Sequence, residues 1–103
     1  MIKVSVMYPN TKGSKFDMTY YLNTHIPLVQ RLLGPALKGV AVDQGVESEE
    51  PGSAPPYLAM AHLFFDSVEA FQRGFGAHGQ AFAADVPNYT NCELIIQVSE
   101  VKL

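Results

Sequence analysis

The chain has 103 residues, of which 48% are hydrophobic and 17% charged, with a net charge of -3. That length suits one domain over residues 1–103, the acidic balance argues against a nucleic-acid footprint, and a charge-poor surface points to self-association. The lone Cys92 excludes an internal disulfide or a multi-cysteine metal site, no apolar run approaches the ~20 residues of a membrane span, and the opening Met1-Ile2-Lys3-Val4 reads as a strand rather than a leader, so a cytoplasmic protein is expected.

Residues 2–8 alternate Ile2, Val4, Val6 and Tyr8 against Lys3, Ser5 and Met7, which predicts a first strand. After the turn-rich stretch 9–14, Asp17 is placed to cap a helix over 16–33. Tyr21, Leu22, His25, Leu28, Val29 and Leu32 share one face at 3.6 spacing. Pro27 lies inside that pattern and removes a backbone donor, so a kink or break is expected over 24–27, with Ile26 pushed from helical angles. Gly34-Pro35 then ends the helix.

Residues 36–46 predict a second strand, with Val40 and Val42 on one face. The acidic, Ser/Pro/Gly-rich stretch 47–56 reads as the long loop of a hairpin. Residues 57–65 are apolar on both faces, the pattern of a covered central strand. A second helix opens at Asp66 or Ser67, with Val68, Phe71, Phe75, His78 and Phe82 as its stripe. Gly74, Gly76 and Gly79 weaken it, which suggests close packing or room for something bulky. Residues 84–88 end the helix, and 91–101 predict a fourth strand.

Strand, helix, strand, strand, helix, strand is the split βαβ order of an α+β, ferredoxin-like βαββαβ domain with a four-stranded antiparallel sheet. Two helices cover only one face of such a sheet. The other face carries Met7, Ile95 and half of the third strand, and soluble monomers rarely leave such a patch bare. A homodimer packing sheet face on sheet face is the economical expectation.

The segment 16–28, Phe-Asp-Met-Thr-Tyr-Tyr-Leu-Asn-Thr-His-Ile-Pro-Leu, resembles the first helix of the EthD family, with its aromatic pair, a His, one residue and a Pro-Leu. Ala77-His78-Gly79, the run 84–91 and Gln97-Val98-Ser99-Glu100-Val101 agree, so the likeness spans essentially the whole chain. The resemblance implies a dimeric α+β barrel, a superfamily holding small monooxygenases, polyketide cyclases, muconolactone isomerases and haem-degrading enzymes. It implies no single reaction, because the fold hosts many. The Cys92-Glu93-Leu94 stretch departs from the family pattern, and no family role falls on Cys92.

His25 is the first candidate for chemistry. It stands beside the expected break, where a cleft and spare carbonyls leave room, and an imidazole exchanges protons near neutral pH. The plainer reading is a ring that caps a carbonyl at the kink. His78 is the second candidate, because it interrupts an apolar stripe and so faces the sheet. The two catalytic candidates, His25 and His78, are expected to converge, although a hydrogen-bonded core histidine accounts equally for His78. Tyr21 shares the His25 face at i, i+4; Tyr20, one residue earlier, does not. Tyr21, Phe75, Phe82 and Tyr89 are the candidate substrate-binding residues, forming an apolar pocket with few polar groups. A filled core is the alternative.

Three histidines with no HxxxH spacing and no local carboxylate partner give no metal site, and nothing Gly-rich follows the first strand to hold a nucleotide. The expected function is a cofactor-free enzyme of oxygenase, cyclase, dehydratase or isomerase type. It would act on a small apolar or aromatic compound with His25 as acid or base. The alternative is a non-catalytic binding or accessory module for a hydrophobic small molecule or for haem, with His25 or His78 as axial ligand.

Overall fold

The structure, a computed structural model, describes residues 1–103. Four strands, β1 (Ile2–Pro9), β2 (Gly39–Gln44), β3 (Tyr57–Phe65) and β4 (Ile95–Glu100), form one antiparallel sheet in the order β2-β3-β1-β4. The helices α1 (Met18–Tyr20), α2 (Ile26–Leu33) and α3 (Val68–Asp85) cover one face. This is the expected ferredoxin-like α+β arrangement, with β3 and β1 central.

Register explains which side chains meet the helices. Val4 stands across from Leu63 and Val98, and Val6 across from Ala61 and Ile96. Side chains alternate across a strand, so Val4, Val6 and Tyr8 share the helix-side face with Ala59, Ala61, Leu63 and Phe65. All seven are buried. Met7, Met60, His62 and Phe64 point the other way and stay partly exposed. The edge strand β4 is the least covered: Ile95, Ile96 and Val98 are 47%, 46% and 42% exposed. No helix is long and apolar enough to cross a membrane.

The first helical region differs from expectation in an instructive way. Asp17 does cap it, its carboxylate accepting from the Tyr20 N–H. Pro27, however, leaves no break. Residues Tyr21–His25 instead form a π-helical turn, and the Ile26 N–H bonds to the Tyr21 carbonyl five residues back. Ile26 keeps helical angles of φ -61° and ψ -44°. The wider turn absorbs the proline, which falls in the first turn of α2 where a missing donor costs little.

The extra residue also rotates the buried face. Tyr21 and His25 are buried, and after them Ile26, Val29 and Leu33 are the buried residues, while Leu28 and Leu32 stay half-buried, Leu32 against the rim of the core. Leu22, expected on the buried face, is 47% exposed. Gly34, at φ +56°, then ends α2 in a conformation that L side chains rarely adopt.

Elsewhere the boundaries shrink. The second strand starts at Gly39 because Gly34–Ala36 takes a 3-10 turn, and the fourth starts at Ile95 because Cys92–Leu94 lie outside the ladder. Ser67, rather than Asp66, caps α3 by accepting from the Ala70 N–H. The three glycines of α3 divide their roles. A Cβ at Gly74 would lie 2.7 Å from Leu33, so it marks close packing, whereas nothing lies within 4 Å of Gly76 or Gly79.

Candidate active site

A cavity of about 190 Å³ opens between the π turn, α3 and the β1/β3/β4 surface of the sheet. Its lining is apolar or aromatic apart from His25. The π turn is what delivers His25 there: Tyr21 and His25, four residues apart, stack with centroids 5.3 Å apart and planes at 16°. Tyr89, from the turn after α3, packs against both rings, 4.6 Å from the imidazole and 4.8 Å from Tyr21. His25 is only 5% exposed.

Asp85, in the last turn of α3, holds that imidazole. One carboxylate oxygen accepts from His25 Nδ1 at 2.9 Å. The other accepts from the Tyr20 hydroxyl at 2.6 Å and from Asn88 Nδ2 at 2.9 Å. Burial pushes the Asp85 carboxyl up, but the three hydrogen bonds outweigh it and the net shift is down. The carboxylate in turn raises the Tyr20 phenol, chiefly through their hydrogen bond.

An ionised carboxylate accepts only, so Nδ1 carries the proton and Nε2 of the neutral ring presents a lone pair. Nε2 has no protein partner. No polar side-chain atom in the chain is both enclosed and unpaired, so Nε2 opens onto accessible space. The space bordering His25 is the cavity. A carboxylate that fixes the tautomer and orientation of an imidazole, whose other nitrogen is free, is the arrangement of a general base.

Three phenols lie beside it. Tyr8, Tyr21 and Tyr89 are each 3% exposed or less, and their hydroxyls meet, Tyr8 to Tyr89 at 2.8 Å and Tyr8 to Tyr21 at 3.3 Å. Burial, the largest cause in each, pushes all three phenols up, so they stay protonated donors.

Of the residues singled out from the sequence, His25, Tyr21, Phe75, Phe82 and Tyr89 border the one cavity. His78 does not. It sits half-buried on α3 with its ring 6.3 Å from Phe82. Its neighbour Gly79 borders the cavity instead; His78 shares the helix face of Asp85, which meets His25, but stands two turns, about 10 Å, back along the axis. The structure therefore does not bring the two histidines together. Phe64 is on the far face of the sheet, and Phe65 and Phe71 pack in the core away from the cavity.

Asp85 and Tyr8 are not among the site residues that the sequence pattern singles out, though each left a signal. An acid in the last turn of a helix opposes the helix dipole, so Asp85 there asks for a partner. Tyr8 continues the inward alternation of Val4 and Val6.

His62 belongs to a different group. Its Nδ1 meets Ser5 Oγ at 2.8 Å and its Nε2 meets Asp43 at 3.1 Å, on the sheet face away from the helices. Ser5 sits in a strand paired on both sides, so its neighbouring amides serve the ladders and none is free to hold an oxyanion. The row is a satisfied polar strip, not a nucleophilic triad. Cys92 is a half-buried thiol that donates weakly to the Pro9 carbonyl at 3.5 Å. No three His, Cys, Asp or Glu side chains converge on a point that could hold a metal ion.

Residues 13–92 match the EthD domain family. The chain belongs to the EthD family. An EthD-like protein from Ralstonia eutropha JMP134 shares 38% identity with it over 99% of this chain and 92% of that one, with a TM-score of 0.94. An ethyl tert-butyl ether degradation family protein from Bacillus halodurans C-125 is 20% identical over 99% of both chains, with a TM-score of 0.69. HapK from Hahella chejuensis is 11% identical over 97% of this chain and 92% of that one, with a TM-score of 0.58. The latter two show the shared fold only. None of the curated proteins matches the chain.

Proposed function

We propose that this EthD chain, acting as one domain over residues 1–103, is a small enzyme that moves a proton on a compact apolar or aromatic compound. His25 is the base and returning acid, and Asp85 is its positioning residue. The observation that carries the proposal is the free Nε2 of a carboxylate-held imidazole beside an otherwise apolar cavity. Nε2 takes a proton from a carbon beside a carbonyl. The C–H electron pair becomes the C=C bond of an enolate, and the carbonyl π pair moves onto oxygen. Return of the proton to either end completes the exchange. That step is common to isomerisation, cyclisation, dehydration and cofactor-free oxygenation.

Size limits the ligand. An apolar cavity of about 150 Å³ holds benzene, so about 190 Å³ takes one ring with a short substituent. Phe75, Phe82 and Tyr89 supply flat walls for it. A macrocycle as wide as haem does not fit that volume, which favours the enzyme over a haem-binding module. His78 has no role in this proposal.

The sheet face away from the helices supports a homodimer. Met7, Leu58, Met60, Phe64 and Ile95 lie along it partly or largely exposed, and only 16 of 103 residues are buried in the lone chain. A second copy laid face to face covers that surface.

The test is solvent exchange. Acetophenone in D2O should gain deuterium in its methyl group in the presence of the protein, and His25→Gln should slow this by about 10²-fold or more. Binding without exchange would leave a binding module, and equal exchange by His25→Gln would remove His25 from the chemistry.

A further inference from the structure

The three phenols have a direction. Each hydroxyl has one proton to give. The Tyr8 hydroxyl gives its proton to Tyr21, so its oxygen must accept at the 2.8 Å contact with Tyr89. The order is Tyr89 to Tyr8 to Tyr21, and Tyr21 is the end of the row. Its own proton meets no acceptor among the side chains or the backbone carbonyls around it. The Tyr8 to Tyr21 contact, at 3.3 Å, is longer than an ordinary hydroxyl pair, so Tyr21 is only loosely held by its neighbour. All three rings border the cavity, on the same side as the His25 imidazole that stacks on Tyr21.

We propose that Tyr21 is the oxygen-reading group of this cavity, with Tyr8 as its positioning residue, and that the ligand is a one-ring compound carrying a carbonyl or enol oxygen. The inference rests on the cavity and base proposed above and names the substrate class they take. A hydroxyl that already accepts one hydrogen bond is polarised into a better donor, because hydrogen bonds in a chain reinforce one another. In a water-poor pocket such a donor is worth more than in solvent. Base and donor then work on one molecule: as Nε2 removes the proton, the charge that appears on oxygen falls on Tyr21. A hydrocarbon of the same shape fills the space and leaves that proton unspent.

Acetophenone and α-methylstyrene separate oxygen recognition from shape, since the second carries CH2 where the first carries oxygen. Their affinities are measured by calorimetry for the wild-type protein, Tyr21→Phe and Tyr8→Phe, and the carbonyl stretch of bound acetophenone by infrared difference spectroscopy. Tyr21→Phe should weaken acetophenone about 3- to 10-fold, one neutral hydrogen bond, and leave α-methylstyrene unchanged. The carbonyl stretch should lie below its value in an alkane for the wild type, return to that value in Tyr21→Phe, and fall between in Tyr8→Phe. Binding of α-methylstyrene also reports that each variant keeps its fold. Equal losses for both probes, or a carbonyl stretch that Tyr21→Phe does not move, would overturn the assignment while the cavity and His25 stand. Failure of both probes to bind the wild type would overturn the cavity reading and this inference together.

Discussion

Replacing Asp85 by Asn changes one atom, and the hydrogen bonds predict what that does. The carboxylate serves three donors, Tyr20 at 2.6 Å and Asn88 at 2.9 Å on one oxygen and His25 Nδ1 at 2.9 Å on the other. An amide keeps its one oxygen for Tyr20 and Asn88, which leaves its NH2 against Nδ1. That NH2 donates, so Nδ1 must accept and the ring proton moves to Nε2. The lone pair facing the cavity is lost. Where an amide replaces the carboxylate behind a catalytic imidazole, the wrong tautomer costs up to about 10⁴ in rate, and general-base catalysis as a whole is worth about 10²–10⁴. Asp85→Asn should therefore slow acetophenone exchange by about 10²-fold or more. The cost in stability is smaller: hydrogen bonds to a charged group are worth about 1.5–3 kcal/mol against about 0.5–1.5 for neutral ones. With three weakened bonds, partly compensated, a loss of about 1–3 kcal/mol in urea unfolding at neutral pH follows.

The pH dependence of that loss is an internal check. Asp85 is held below its ordinary 3.8, so it binds fewer protons folded than unfolded. The stability it contributes is complete above that value and is lost as pH falls through the lowered one. The gap between wild type and Asp85→Asn should narrow as pH drops below about 4. An exchange rate within about twofold of wild type, or a stability gap that widens in acid, would refute the tautomer argument.

Gly76→Ala should raise stability by about 1 kcal/mol, since Ala is the better helix former and nothing lies within 4 Å of the new methyl; an unchanged urea midpoint would contradict that. Gly74→Ala should gain less than Gly76→Ala, because its Cβ meets Leu33 at 2.7 Å. Phe82→Ala, at a 6% exposed position between the cavity and the core, should cost about 3–5 kcal/mol, read in the same way. Tyr8, Tyr21 and Tyr89 are raised above their ordinary 10.0, so they retain protons in the folded state. The stability they contribute is present below pH 10 and lost as pH rises further; ultraviolet titration should show their ionisation only together with loss of the fold. Ionisation of all five tyrosines near pH 10 with the fold intact would contradict it. Light scattering at micromolar concentration should give twice the chain mass, and the chain mass alone would remove the sheet-to-sheet dimer.

Much of this was legible in the sequence because periodicity is a local property. Alternation in residues 2–8, the apolar run 57–65 and the Phe71, Phe75, Phe82 stripe follow from side-chain geometry within one element, and each element is where the pattern puts it. Two things were not legible. A proline inside a helical pattern can break the helix or be absorbed by a wider turn, and the choice depends on packing over the sheet. Absorption left Val29 buried as expected, brought Ile26 and Leu33 into the buried set and left Leu28 and Leu32 half-buried. The partners of His25 were hidden for a different reason. Asp85 is 60 residues away, and only the packing of α3 beside the π turn brings them together. His78 shows the limit of a stripe read from spacing: it keeps the spacing of Phe75 and Phe82 and shares the face of Asp85, but spacing does not say how far along the axis the π turn sits, and His78 lies about 10 Å from Asp85 in that direction.

The central claim is that Asp85 holds His25 with its proton on Nδ1 and its lone pair on Nε2, open to the cavity. Long-range proton–nitrogen correlation on protein with 15N-labelled histidine reads this directly for the neutral ring. The account predicts that the His25 signals show Nδ1 protonated and Nε2 bare, and that the pattern inverts in Asp85→Asn. A wild-type His25 with its proton on Nε2 would contradict it.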